Sequence, residues 1–490
     1  MLYRLNPLIS PIVHSGKFKP AMRKFILLFS FLILILTLAK SQTHNLFVVN
    51  GYGSGSFNTG DSIYILGNPP KTDFIFDGWL GSAELSDTFC IGTRVKMDTA
   101  DITIAPKYTA APGWTEKLDS VNGSPFYYYF PSAKNNIRGL IIFFHGAGGN
   151  AKKWFTGVEE RTFLNYAVAK GYAVLATESR DRILDSIQLQ PWQWSTNLTL
   201  ASNPDMKNIG KIIDTLTNRG LIDYSTHIFG VGFAQGGNFL SLMANIKTYK
   251  GICLIDAPGI NSTFNVSITP TYWMPSRNDV VADTARMTKC INNYNTLTAR
   301  NIRTAFRVNE PFPVTRNRFM RIPGIDSATS DSIYYYLALS GYLDASSFIN
   351  FNPAADTSWY ALIPSTDTLR VRAIIDQIFI CYSEEHFHSD QMYRVLYFFG
   401  QNATWPIGID TYSAGDLSLQ IYPNPVSGYL HYSSEKTIDH IKVFDLAGKE
   451  TIAFKNPQNN IDISNLNNGM YIVVFQTRDQ QILTRKIVKQ

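Results

Sequence analysis

Cysteine is scarce and charge is sparse: the 490-residue chain has four cysteines, at positions 90, 253, 290 and 381, and 17% charged residues. Their spacing suits neither a metal site nor a disulfide framework, and Cys253 and Cys381 fall in apolar, strand-like runs where buried free thiols are expected. A net positive charge is missing from most of the chain. The formal +6 is matched by six basic residues, Arg4, Lys17, Lys19, Arg23, Lys24 and Lys40, in a leader without acids, so the remainder is neutral. A neutral body lacks the electrostatic footprint of a nucleic-acid binder, and no nucleic-acid partner is expected. The apolar run Phe25–Leu38 is too short to span a bilayer comfortably, which argues against a stable transmembrane anchor.

That run follows Arg23-Lys24 and ends at Ala39-Lys40-Ser41, with small residues where a signal peptidase inspects the chain. Residues 1–41 therefore read as a secretory signal, with Met22 as the true start and Gln42 leading the mature chain. Hydrophobic residues at 45% and aromatics at 13% suffice for a sizeable core. At roughly 100–200 residues per domain there is room for two to four.

Three regimes follow the leader. Residues 43–112 are rich in Gly, Ser and Thr, with alternating runs such as Ser62-Ile63-Tyr64-Ile65-Leu66 that predict half-buried strands. Asn50-Gly51-Tyr52-Gly53-Ser54-Gly55 and Phe74-Ile75-Phe76-Asp77-Gly78-Trp79 resemble the divergent β-repeat of bacterial surface proteins, related to internalin B-repeats. Its plainest role is that of a spacer or packing module. Residues 113–403 alternate apolar strands with helical segments, which predicts an α/β domain with a mostly parallel sheet covered by helices. Strands are expected at Leu140–Phe144, Gly171–Ala176, Thr226–Val231, Gly251–Ile255, Thr271–Met274 and Ile374–Cys381, and helices at Glu160–Lys170, Met206–Asn218 and Asp390–Phe399. Residues 414–490 return to short strands and turns, including Ile421-Tyr422-Pro423-Asn424-Pro425, Ile441-Lys442-Val443-Phe444-Asp445 and Gly469-Met470-Tyr471-Ile472-Val473. This segment resembles the C-terminal sorting domain of the type IX secretion system of Bacteroidetes. The resemblance implies a small β-sandwich serving as an export address, handling by that machinery, and a protein secreted or held at the outer cell surface.

Four stretches of the middle regime carry candidate chemistry, in chain order. His145-Gly146-Ala147-Gly148-Gly149-Asn150 follows the first buried strand, and its small residues let backbone N–H groups approach a substrate. No Gly-Lys-Ser/Thr follows, which excludes a phosphate loop. Gly232-Phe233-Ala234-Gln235-Gly236 lies between a strand and a helix, in the pattern of a nucleophile elbow. Asp279 lies on the loop after Thr271–Met274, and Asp256 at the end of the preceding strand is its alternative. Glu384-Glu385-His386-Phe387-His388 precedes the closing helix and offers two bases, His386 first and His388 second.

Together these resemble the α/β-hydrolase family, which implies an oxyanion hole at the N–H groups of Ala147 and Gln235, an orienting acid at Asp279, and a histidine base. The family's serine is replaced by Ala234, which has no atom able to attack a carbonyl. Taken singly, Asp279 could be a turn residue and either histidine a chance placement. The wide gap from Asp279 to the histidines implies an insertion at about 284–370, either a lid rich in Arg and aromatics or a satellite subdomain with its own core. Trp192 and Trp194 could face a sugar or aromatic ester, or be core. No cofactor and no metal are implied. The expected function is a secreted ligand-binding pseudoenzyme with an ester or carbohydrate ligand; the alternatives are an active carboxylic-ester hydrolase and a surface adhesion protein using the β-repeat.

Overall fold

The computed structural model describes residues 43–111, 113–132, 137–180, 193–246, 249–279, 285–363, 367–402, 419–434, 437–445, 450–478 and 482–490. Residues 1–41, expected to be a secretory signal, and Trp192 lie outside the described residues.

Residues 43–110 form two four-stranded sheets. Alternation buries Leu46, Val48, Ile65, Val95, Ile102 and Ile104 between them. The module is docked on the middle domain. Ile75 joins that domain's core, Asn317 Nδ2 donates to Leu66 O at 3.1 Å, Phe89 stacks on Tyr393 at 4.0 Å, and Arg394 pairs with Asp87.

The middle domain is built on eight strands: β1 (Lys117–Val121), β2 (Ser124–Tyr129), β3 (Gly139–Phe144), β4 (Tyr172–Thr177), β5 (Ile228–Phe233), β6 (Gly251–Ile255), β7 (Thr271–Met274) and β8 (Thr304–Phe306). Their spatial order is 1-2-4-3-5-6-7-8, with β2 antiparallel to both neighbours and the other pairs parallel. Every residue of β3, β4, β6 and β7 is buried, as continuous apolar strands covered on both faces should be. The covering helices are α1 (Val158–Ala169), α2 (Pro204–Asn218), α3 (Gln235–Met243), α4 (Ala285–Ala299) and, later in the chain, α7 (Met392–Asn402). Between β8 and α7 lie α5 (Ser327–Leu339) and α6 (Thr368–Tyr382).

Two expectations need correction. Ile374–Cys381 is not a strand but the second half of α6, which starts at Asp367, whose carboxylate accepts from the Leu369 amide at 3.0 Å. A short apolar run fits either period, and the cap that decides between them lies outside it. Nor does the insertion start at 284. α4 and β8 belong to the sheet layer, and the added unit begins after Phe306. It has its own core of Val314, Phe319, Ile333, Trp359, Ile374 and Ile378, the arrangement of a satellite subdomain. All four cysteines are buried free thiols.

The last regime forms a three-stranded and a four-stranded sheet enclosing Leu430, Ile441, Val443, Val473 and Phe475.

Candidate functional site

Ala234 sits between β5 and α3 at φ 49°, ψ −121°. An L-residue adopts such a conformation only when its surroundings impose it. Here the Ala234 amide donates to Ile255 O at 2.9 Å, and its carbonyl accepts from Gly237 at 2.9 Å and Asn238 at 3.3 Å. The flanking glycines are set by space. A Cβ on Gly232 would lie 2.5 Å from Gly237 Cα, and one on Gly236 would lie 2.4 Å from His145 O. The turn thus keeps the shape that projects a nucleophile, and carries a methyl group.

The Gly-rich turn after β3 lies against it: a Cβ on Gly146 would be 3.3 Å from Ala234 Cβ. The turn closes through Gly149 N to Gly146 O at 3.0 Å, and the Asn150 side chain caps the next helix at Lys153 N, 2.8 Å away. His145 fixes its path. Its buried ring is 2.8 Å from Gly146 O at Nδ1, and Nε2 is 3.2 Å from the Ser179 amide. The amide can only donate, so Nε2 accepts and Nδ1 carries the proton of a neutral ring. Ala147 is exposed, and Gln235 opens α3, where an amide has no acceptor within its own helix. The Gly-rich turn and the first turn of α3 therefore both adjoin Ala234.

Trp194 is core. It is 2% exposed, donates from Nε1 to His145 O at 2.8 Å and stacks on Phe239 at 4.7 Å. The Gln235 side chain clamps its backbone, Oε1 accepting from Trp194 N and Nε2 donating to Trp194 O, each at 2.7 Å. Of the two roles open to Trp194, burial excludes the substrate-facing one and leaves core, where it braces the Gly-rich turn through His145.

The acid and base fall into separate groupings. Asp279 is bonded by Arg286, which also reaches Glu385 at 3.0 Å. Its loop lies against the histidine segment, with Asn278 N donating to Ser383 O at 2.8 Å. Asp256, at the end of β6, is buried, and its Oδ1 accepts from Ser276 N at 2.6 Å. Burial pushes its carboxyl well above the usual range, and the nearby Asp279 and Glu385 raise it further.

His386 faces Glu384 at 3.3 Å and Asp376 of α6 at 3.4 Å, and stacks on Phe379 at 4.7 Å. Burial favours its neutral form, but the two carboxylates prevail and raise its pKa to about 9. His388 is buried, and burial lowers its pKa despite Asp390 and Glu159 nearby. Phe387 turns the other way, packing on Trp154 at 4.9 Å and Phe233 at 6.3 Å, beside the elbow. Both histidines line a cavity of about 240 Å³ whose described lining includes neither Ala234 nor Asp279. The structure thus brings together Ala234, the turn at Ala147 and Gln235, and, as a second group, Asp279, Arg286 and Glu385.

Sequence reasoning missed the group that anchors the histidine segment. Glu159 Oε1 accepts from Arg321 at 2.7 Å and Gln377 at 2.9 Å, while Oε2 accepts from the Ser389 amide at 2.9 Å and hydroxyl at 2.6 Å. Asp390 holds Arg318 at 2.8 Å and Arg321 at 2.7 Å. Of these two arginines, for which a lid or a satellite subdomain was expected, Arg318 is buried and Arg321 half-buried. No local signal marked Glu159, which sits in the charged run Glu159-Glu160-Arg161.

Sheet order, elbow and Gly-rich turn define the middle domain as an α/β-hydrolase fold. A family model described as a secretion system C-terminal sorting domain matches residues 420–490. The protein is accordingly exported, to the medium or the cell surface. No curated protein matches the chain. Among solved structures it is similar to a ferulic acid esterase (9% identity, TM-score 0.31, covering 40% of this chain and 88% of that one). A carboxylesterase of Bacillus cereus is similar at 14% identity and TM-score 0.27, covering 37% and 83%. Brefeldin A esterase, a bacterial homologue of human hormone sensitive lipase, is similar at 11% identity and TM-score 0.30, covering 40% and 67%. At these scores the fold assignment rests on strand order and elbow. No helix among the described residues is long and apolar enough to cross a membrane.

Proposed function

We propose that this exported protein is a pseudoenzyme that binds an ester-bearing ligand, such as an esterified glycan, without turning it over. The observation that carries this is the elbow residue: Ala234 is held at φ 49° where the family's nucleophile stands, with a methyl and no attacking atom. Loss of a triad nucleophile costs about 10⁶ in kcat, while binding and the oxyanion donors survive. The amides of Ala147 and Gln235 then act as a receptor for a carbonyl oxygen. His386, at a pKa of about 9, is an imidazolium at neutral pH and not a general base.

Short-chain aryl esters should raise the melting temperature of the full-length protein, because a ligand of the folded state stabilises it by mass action. Phenol release should show no pre-steady-state burst. A burst equal to the protein concentration reports an acyl intermediate, and would establish an active ester hydrolase instead.

A further inference from the structure

The cavity that holds the histidines is walled on one side by the β-module, through Tyr64, Thr93 and Arg94, and on the other by Arg307, Asn309 and Phe312. We propose that it is a binding site for a single acidic sugar, a hexuronate, distinct from the elbow. The lining contains polar groups buried without partners. Asn309 is 6% exposed, yet neither its Oδ1 nor its Nδ2 has a hydrogen-bond partner among the described residues. The same holds for Nδ1 of His388, 9% exposed, and Oε1 of Glu384, 3% exposed. Buried polar groups left unpaired each cost about 1–3 kcal/mol, and these three residues of the lining carry them. Asn309 offers donors and an acceptor, Glu384 an acceptor, and His388 either role. Sugar hydroxyls, which both donate and accept, match that mixture.

Charge narrows the class. Each acid of the lining has a cationic partner: Glu310 has Arg277, Glu384 has His386, which Asp376 shares, and Asp390 has Arg318 and Arg321, the latter shared with Glu159. Arg94 and Arg307 have no carboxylate partner among the described residues. The Arg94 guanidinium donates to Ser62 O at 3.1 Å. The unmatched charge is thus positive, and guanidinium groups suit a carboxylate. Phe312, stacked at 6.0 Å with Tyr64, supplies an apolar wall for the C–H face of a ring. At about 240 Å³ the cavity is smaller than the roughly 300–1,000 Å³ of drug-sized pockets, which fits one ring and not a chain. The module wall is a fixed one, held by the Asp87–Arg394 pair and by Cys90 Sγ to Gln391 at 3.4 Å.

Isothermal titration of the full-length protein with galacturonate and glucuronate, against galactose, glucose and propionate, tests the site. A uronate should bind at least about tenfold more tightly than its neutral hexose, the worth of one charge-assisted hydrogen bond, and propionate should not bind. Arg94→Ala, on an exposed strand position, and Arg307→Gln should each weaken uronate by about that factor while leaving the hexose unchanged. Equal affinity for uronate and hexose, propionate binding as tightly as uronate, uronate affinity unmoved in both variants, or no binding to the folded protein would each overturn the proposal. The ester reading is measured separately at the elbow and does not depend on the outcome.

Discussion

Ala234 retains a backbone conformation that costs roughly 1–3 kcal/mol and persists only because its neighbours enforce it. Restoring a hydroxyl there is sterically small, but the base is differently placed. With His386 bound to Glu384 and Asp376, its proton is lost only as pH rises through about 9. Ala234→Ser should therefore not reach the plateau near neutrality of a working serine hydrolase, and any turnover that His386 supports should appear only as pH rises through about 9. A pH–rate profile of the variant minus wild type measures this, and a plateau by pH 7 would assign the base to a neutral group such as His388. The elbow at Ala234 was legible in sequence because strand, glycines and helix lie within a few adjacent residues. The partners of His386 were not: Asp376 lies ten residues earlier, on a helix read as a strand. Trp194 was left open between ligand face and core for a related reason. Nothing near it in sequence announces that His145 O and the Gln235 side chain will satisfy it.

At the level of elements, the parallel strands were readable because continuous apolar runs bounded by turns have one common explanation in an α/β chain. β6 and β7 coincide with their expected spans. α6 was misread because the short apolar run Ile374–Cys381 was taken without the cap at Asp367 that starts the helix, although Ile374, Ile378 and Cys381 already have helical spacing. The segment from Ser383 to Asp390 has no regular structure of its own, and α1 fixes it through Glu159. Glu159→Ala would leave the buried Arg321 guanidinium with Asp390 alone and strip Gln377 and Ser389 of an acceptor. Breaking a buried pair on one side typically costs about 3–5 kcal/mol. The expected outcome is a loss of that size in urea denaturation. A loss below about 1 kcal/mol, the range of a surface pair, would show that the network is not what holds the segment.

Across the whole molecule, export frames the rest. Residues 420–490 match a secretion sorting domain, and the leader before residue 43 reads as a signal peptide. The protein recovered outside the cell should begin near Gln42 and lack the segment from about 414 onward, with the β-module and the α/β domain remaining together. Intact-mass measurement checks both ends, and recovery of the uncleaved chain from the cytoplasm would contradict the assignment. The docked β-module was legible as a unit of strands, but its part in a cavity was not. Tyr64 and Arg94 come within reach of Asn309 only through tertiary packing that no local pattern encodes.

The central claim is that no nucleophile acts in the α/β domain, and intact mass after exposure to a fluorophosphonate probe tests it most directly. The wild-type protein should keep its mass under conditions that label an intact serine hydrolase to completion. A single stoichiometric adduct, mapped to any serine of the α/β domain, would contradict it.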